Sequence, residues 1–72
     1  MSVLSERLKE LRIESGKKQT DIAAYLGVLP RAIRFYESGD REPGNELLVK
    51  LADFFEVSTD YLLGRTDDPA KR

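Results

Sequence analysis

Apolar residues return every three or four positions along most of this chain. In "LSERLKELRIESG", Leu4, Leu8 and Leu11 stand at i, i+4 and i+7 with charged residues between them. That spacing puts three leucines on one helix face, and Gly16 supplies a stop, so a first helix is predicted over 5–15. "QTDIAAYLG" repeats the pattern more briefly: Ile22, Ala23 and Leu26 share a face, and Gly27 suits the left-handed conformation that ends a helix. Pro30 fits the first turn of a third helix, where its missing N–H is not needed; this helix runs to Ser38 with Ile33 and Tyr36 facing inward. After the turn-rich connector "GDREPGN", Leu48, Leu51, Ala52 and Phe55 mark a fourth helix over 45–55. Ser58 is a good N-cap for a short fifth helix that carries Leu62 and Leu63 and stops at Gly64.

No window alternates apolar and polar residues in the strand manner, so the expected fold is all-α, a compact bundle of five short helices. With 72 residues the chain has room for one core, burying roughly 60% of the surface its unfolded form exposes. Residues 1–64 are expected to form the domain, and residues 65–72, "RTDDPAKR" with Gly64 before them, a mobile polar tail or linker.

Composition narrows the chemistry. Cysteine and histidine are absent, which removes disulfides, thiolate or imidazole metal sites, and the Ser-His and Cys-His nucleophiles. Asp67 and Asp68 are adjacent carboxylates without supporting ligands. No enzyme, cofactor or metal is expected. The N-terminus lacks an apolar signal core and no run approaches the ~20 apolar residues of a membrane span, so a cytoplasmic location is expected and no membrane partner. The net charge is −1, against the basic excess usual for proteins that contact phosphate. Its distribution is uneven: residues 1–41 carry 8 Lys/Arg against 6 Asp/Glu, residues 42–72 only 4 against 7.

The second and third predicted helices, three residues apart, form a helix-turn-helix candidate. Ala23 is small where two helices must cross closely, and Ile22, Leu26, Val28, Ile33 and Tyr36 are apolar where they would share a core. Together with "LSERLKELR", "QTDIAAYLGV", "IRFYESGDREP" and "LLVKLADFFEVSTDYLLG", these residues closely resemble the phage lambda repressor and Cro family, the XRE-type DNA-binding domains, from about Leu4 to Leu63. "IAAYLGVLPRAIRFYESGDREP" is also similar to a MerR-type winged helix. A full helix ahead of the motif and the helical "LLVKLADFF" after it, where a wing would stand, argue against that second likeness.

If Ile33 and Tyr36 face inward, helical geometry turns Arg31, Arg34, Phe35 and Ser38 toward a major groove. An arginine can donate two hydrogen bonds to guanine O6 and N7, and a phenyl ring can pack on a thymine methyl group. Arg31, Arg34 and Phe35 are therefore the base-reading candidates. The resemblance implies that Gln19, opening the second helix, holds phosphate, with Lys17, Lys18, Ser38 and Arg41 as nearby phosphate-binding candidates. It also implies Arg12 as the partner of Glu37, an ion pair read as structural. Leu29 and Pro30 replace the family's usual capping Ser or Thr and polar base reader, and Asp40 stands where a basic residue is common. Val28 is placed to act with Ile33 as a hydrophobic staple in compensation. The expected function is a sequence-specific transcriptional regulator, a repressor that binds a two-fold operator in double-stranded DNA as a homodimer. Phe54, Tyr61 and Leu63 are candidates for the dimer surface. A protein-interaction module, antitoxin or adaptor, using the same surface through Phe35 and Leu29, is the alternative.

Overall fold

The computed structural model describes residues 2–70 and contains five helices: α1 (Val3–Ser15), α2 (Gln19–Leu26), α3 (Pro30–Ser38), α4 (Asn45–Phe55) and α5 (Thr59–Leu62). Among the described residues there is no strand, and no helix is long and apolar enough to cross a membrane. The α1 and α2 N-termini differ in how they are closed. Helix α1 begins two residues before the predicted start because Ser2 caps it: its Oγ accepts from the Ser5 amide at 3.2 Å, while the buried Ser5 hydroxyl donates to the Ser2 carbonyl at 2.8 Å. At α2 the Asp21 carboxylate accepts from the Lys18 amide at 2.9 Å, which satisfies one of the donors a helix start leaves open.

Three C-caps are left-handed glycines at the expected or adjoining positions, Gly16, Gly27 and Gly39. Helix α4 instead ends at Glu56, a non-glycine residue with φ 56°. That reversal turns the chain so that Val57, which belongs to no helix, enters the core. Helix α5 is a single turn, capped by Ser58 Oγ accepting from the Tyr61 amide at 3.0 Å. It buries Leu62 completely and leaves Leu63 outside the helix, 44% exposed, so of the two leucines expected on α5, one lies within it.

One cluster unites the helices: Leu4 and Leu8 of α1, Ile22, Ala23 and Leu26 of α2, Ile33 of α3, Leu51 and Ala52 of α4, Val57, and Leu62 of α5. Half-buried Leu11, Val28, Tyr36, Leu48 and Phe55 pack around it. Each fully buried leucine or isoleucine contributes roughly 1.5–3 kcal/mol relative to leaving it exposed. Helix α3 packs on both α1 and α2, while α5 packs on α1 and α4. The N-terminal helix thus braces both the second helix of the helix-turn-helix and α5.

Residues 65–70, expected as the start of a mobile tail, run back across α5. The Arg65 amide donates to the Asp60 carbonyl at 2.9 Å, and the Ser58 amide to the Pro69 carbonyl at 3.2 Å. Arg7 of α1 reaches the same segment, donating through Nη1 to the Tyr61 and Thr66 carbonyls, both at 2.5 Å, and through Nη2 to Asp67 Oδ1 at 2.7 Å. Its guanidinium centre also lies 4.2 Å from the Tyr61 ring centroid. Lys71 and Arg72, the last residues of the expected tail, lie outside the described residues.

Candidate nucleic-acid interface

Helix α3 starts without a side-chain cap. Leu29 occupies the cap position in an extended conformation with its side chain exposed, and Pro30 follows at the first helical position. The loss expected from a missing Ser or Thr cap, on the order of 1 kcal/mol, is offset by the fixed φ of proline and by Val28, which is half-buried against the core cluster that holds Ile33. With Ile33 wholly buried, the rotation of α3 is fixed, and Arg31, Arg34 and Ser38 are exposed as the helical spacing predicts.

Glu37 is the exception among the charged residues of α3: its side chain is 5% exposed and points into the domain. Arg12 of α1 meets it with both Nε, 2.5 Å from Oε2, and Nη2, 3.1 Å from Oε1. The fork-on-fork geometry is the strong form of a charge-assisted pair. The hydrogen bond to Glu37 is the main cause that raises the Arg12 pKa above the ordinary arginine value; partial burial opposes it, and the charge of Glu37 adds to it. Gln19 Nε2 donates to Glu37 Oε1 at 3.2 Å, so three helices converge on one carboxylate.

This cluster also reaches the turn between α1 and α2. The Lys17 amide donates to the Arg12 carbonyl at 3.2 Å, and Arg12 Nη1 lies 3.5 Å from the Lys17 carbonyl. Lys17 and Lys18 themselves are exposed, and Gln19 is half-buried. The expected phosphate candidate Gln19 therefore uses one amide hydrogen on Glu37; a carboxamide has a second. Ser38 is also engaged locally, its hydroxyl within 3.1 Å of the Phe35 carbonyl and 2.9 Å of Asp40 Oδ2. Asp40, the departure from the family pattern, is thus part of the turn that follows α3.

Phe35, expected outward, is not among the residues packed on the core. It is half-buried, with the Arg41 guanidinium centre 5.2 Å and that of Arg34 5.8 Å from the ring centroid. A small concavity lined by Leu29, Arg31, Ala32, Phe35, Tyr36 and Arg41 opens on this side of α3. A helical wheel treats α3 in isolation, whereas Arg41 arrives from the turn beyond it. Of the three dimer-surface candidates, Phe54 packs edge-on against Tyr25 and Phe55, with centroids 5.1 and 5.0 Å apart, Tyr61 lies beneath Arg7, and Leu63 is exposed.

Two residue clusters were missed in the sequence. The contacts of Arg7 involve two backbone carbonyls and carry no side-chain signature. The Phe35–Arg41 contact had a weak one, an aromatic and an arginine flanking a glycine turn. Among the described residues no group of three or more carboxylates is placed to hold a metal.

The helix-turn-helix family model matches residues 8–62. The HTH-type transcriptional regulator ImmR of Bacillus subtilis is 39% identical over 69 residues, 96% of this chain and 54% of ImmR. The cryptic phage CTXphi transcriptional repressor RstR of Vibrio cholerae is 40% identical over 62 residues, 86% of this chain and 55% of RstR. This chain thus spans about half the length of these relatives. A crystal structure of the P22 c2 repressor in complex with a synthetic operator is similar with a TM-score of 0.81 and 30% identity, covering 88% of this chain and 96% of that one. With the five-helix fold, the α2–turn–α3 geometry and these likenesses together, the chain belongs to the lambda repressor and Cro-like, XRE-type helix-turn-helix family.

Proposed function

We propose that this chain is the DNA-binding domain of a sequence-specific transcriptional repressor of the cytoplasm, a binding module and not an enzyme. In this reading α3 docks in the major groove and two copies of the domain bind the halves of a two-fold operator. One observation carries it. Helix α3 presents Arg31 and Arg34 outward while the one carboxylate within it, Glu37, is turned inward and bonded by Arg12 and Gln19. The outer face of the helix is thereby left basic despite the acidic total.

The names of the similar proteins support the regulatory part of the proposal: RstR is a transcriptional repressor, and the P22 c2 repressor was solved on an operator. Arg31, nearest the helix start, reads a base edge, with Arg34 and the Phe35 region beside it. Lys17, Lys18, the second amide hydrogen of Gln19, Ser38 and Arg41 hold phosphates and set register without reading sequence. Backbone amides at helix N-termini add to this hold at no cost in net charge. One α3 spans few base pairs, which favours a dimer on half-sites about one helical turn apart; exposed Leu63, with Val3 beside it, is the apolar surface proposed for that contact.

The test is retention of duplex DNA by wild type and by the Arg31→Ala, Arg34→Ala double variant across a salt series. Wild type is expected to bind with log K falling linearly in log salt, and the variant to lose specific binding with its melting temperature within a few degrees of wild type. Equal affinity of the two proteins would remove α3 as the reading element.

A further inference from the structure

Arg41 stands two residues beyond the cap of α3, where an arginine side chain is ordinarily free to sample many rotamers. Here the backbone winds back toward Phe35: its carbonyl accepts from the Gly39 amide at 3.1 Å and the Arg41 amide at 3.3 Å. The Ser38 hydroxyl lies 3.1 Å from the same oxygen. The Arg41 guanidinium is thereby delivered to 5.2 Å from the Phe35 centroid, inside the ~6 Å range of a cation–π contact. Among the described residues Arg41 makes no ion pair; of the carboxylates on either side of it in sequence, Asp40 is taken up by Ser38 and Glu42 lines a different concavity, without Phe35.

We propose that Phe35 is a positioning residue, whose ring holds the Arg41 guanidinium on the DNA-facing side of α3, so that Phe35 contributes to DNA recognition through Arg41. This rests on the reading of α3 as the groove-docking helix. Three features favour it over direct contact of the ring with a base. The ring is half-buried, which leaves it a reduced edge to offer. Arg41 lines the same concavity as Arg31, so the stack sets a loop arginine beside a helix-borne one. A guanidinium stacked on an aromatic face keeps N–H donors at its rim, and fixing it beforehand lowers the entropy lost on binding.

The experiment is a double-mutant cycle on a duplex selected by the wild-type chain, at about 0.15 M salt. The variants are Phe35→Leu, Phe35→Tyr, Arg41→Ala and the Phe35→Leu, Arg41→Ala pair, each checked for its melting temperature. Phe35→Tyr keeps the ring and is expected to bind within about two-fold of wild type, while Phe35→Leu, which keeps apolar bulk, loses about five-fold. In the Arg41→Ala background Phe35→Leu is expected to change affinity by less than about two-fold, the mark of one shared interaction. Additive losses, or equal losses for the Leu and Tyr variants, would overturn the positioning role. Without DNA, the Arg41 side-chain methylene protons are expected to show a ring-current shift in wild type and Phe35→Tyr that vanishes in Phe35→Leu; no shift in wild type also overturns it. A wild-type chain that selects no duplex would bring down the groove-docking reading and this proposal with it, whatever the proton shifts show about the stack.

Discussion

Arg7 and Arg12 leave the same helix five residues apart and anchor opposite kinds of partner. Arg12 meets a buried carboxylate on α3, with Gln19 of α2 completing the cluster. Arg7 meets two backbone carbonyls and the ring of Tyr61, with the fully exposed Asp67 as a counter-charge. In the first region the ion pair ties α3, the helix proposed to face DNA, to α1 and keeps a negative charge off its outer face. In the second, the arginine fastens a segment after α5 whose position needs only carbonyls. Charge count therefore says little about where a charge acts: the buried pair neutralises a carboxylate within the domain, the other arginine places a chain segment by hydrogen bonding.

The largest expected effect lies in the first region. Glu37→Ala leaves the Arg12 guanidinium facing a vacated carboxylate site and should cost about 3 kcal/mol, the lower end of the range for breaking a buried pair because Arg12 keeps some access to water. Thermal unfolding should show a drop of at least about 10 °C; a drop of a degree or two would mean that α3 is held by its apolar contacts alone. Arg7→Ala is expected to cost about 2 kcal/mol, within the range for hydrogen bonds from a charged donor. Faster amide exchange at Arg65 and Ser58 should accompany it, with α3 unaffected. Exchange that quickens at both ends equally would dissolve the distinction between the regions.

Ser58→Ala removes the side-chain cap of α5 and should lower stability by about 1 kcal/mol in chemical denaturation. Asp67→Asn should leave the melting temperature unchanged within error, since an exposed ion pair contributes little and Arg7 retains its carbonyl partners. A clear loss would place the anchoring in the counter-charge after all. The smallest effect concerns pH. Because Glu37 raises the Arg12 pKa, that stabilisation is fully present below the ordinary arginine value and is lost only as pH rises through the higher folded-state value. The melting-temperature difference between wild type and Arg12→Met is therefore expected to stay constant from about pH 6 to 9.

Much of the fold was legible in the sequence because α1 to α4 each bury a face of period 3.6 and meet a glycine, a proline or a cap at most ends. The errors fall where that logic has no purchase. Ser2 lengthens α1 from outside the apolar pattern, and Val57 enters the core through the left-handed Glu56, after the helical period has ended. Leu63 was expected within the fifth helix, yet α5 is a single turn that ends at Leu62. At the interface, the outward arginines followed from spacing, and the Arg12–Glu37 pair from family resemblance. The hydrogen bond from Gln19 to that pair joins residues distant along the chain, the contacts of Arg7 involve main-chain carbonyls, and Arg41 meets Phe35 across a turn where the helical period has ended; none of the three leaves a periodic trace.

The most direct measurement is enrichment of a random duplex library by this chain at about 0.15 M salt, with the Arg31→Ala, Arg34→Ala variant in parallel. The expected result is a palindromic sequence with half-sites about one helical turn apart, absent from the variant's selection. Equal enrichment by both proteins, or none by wild type, would contradict sequence reading by α3.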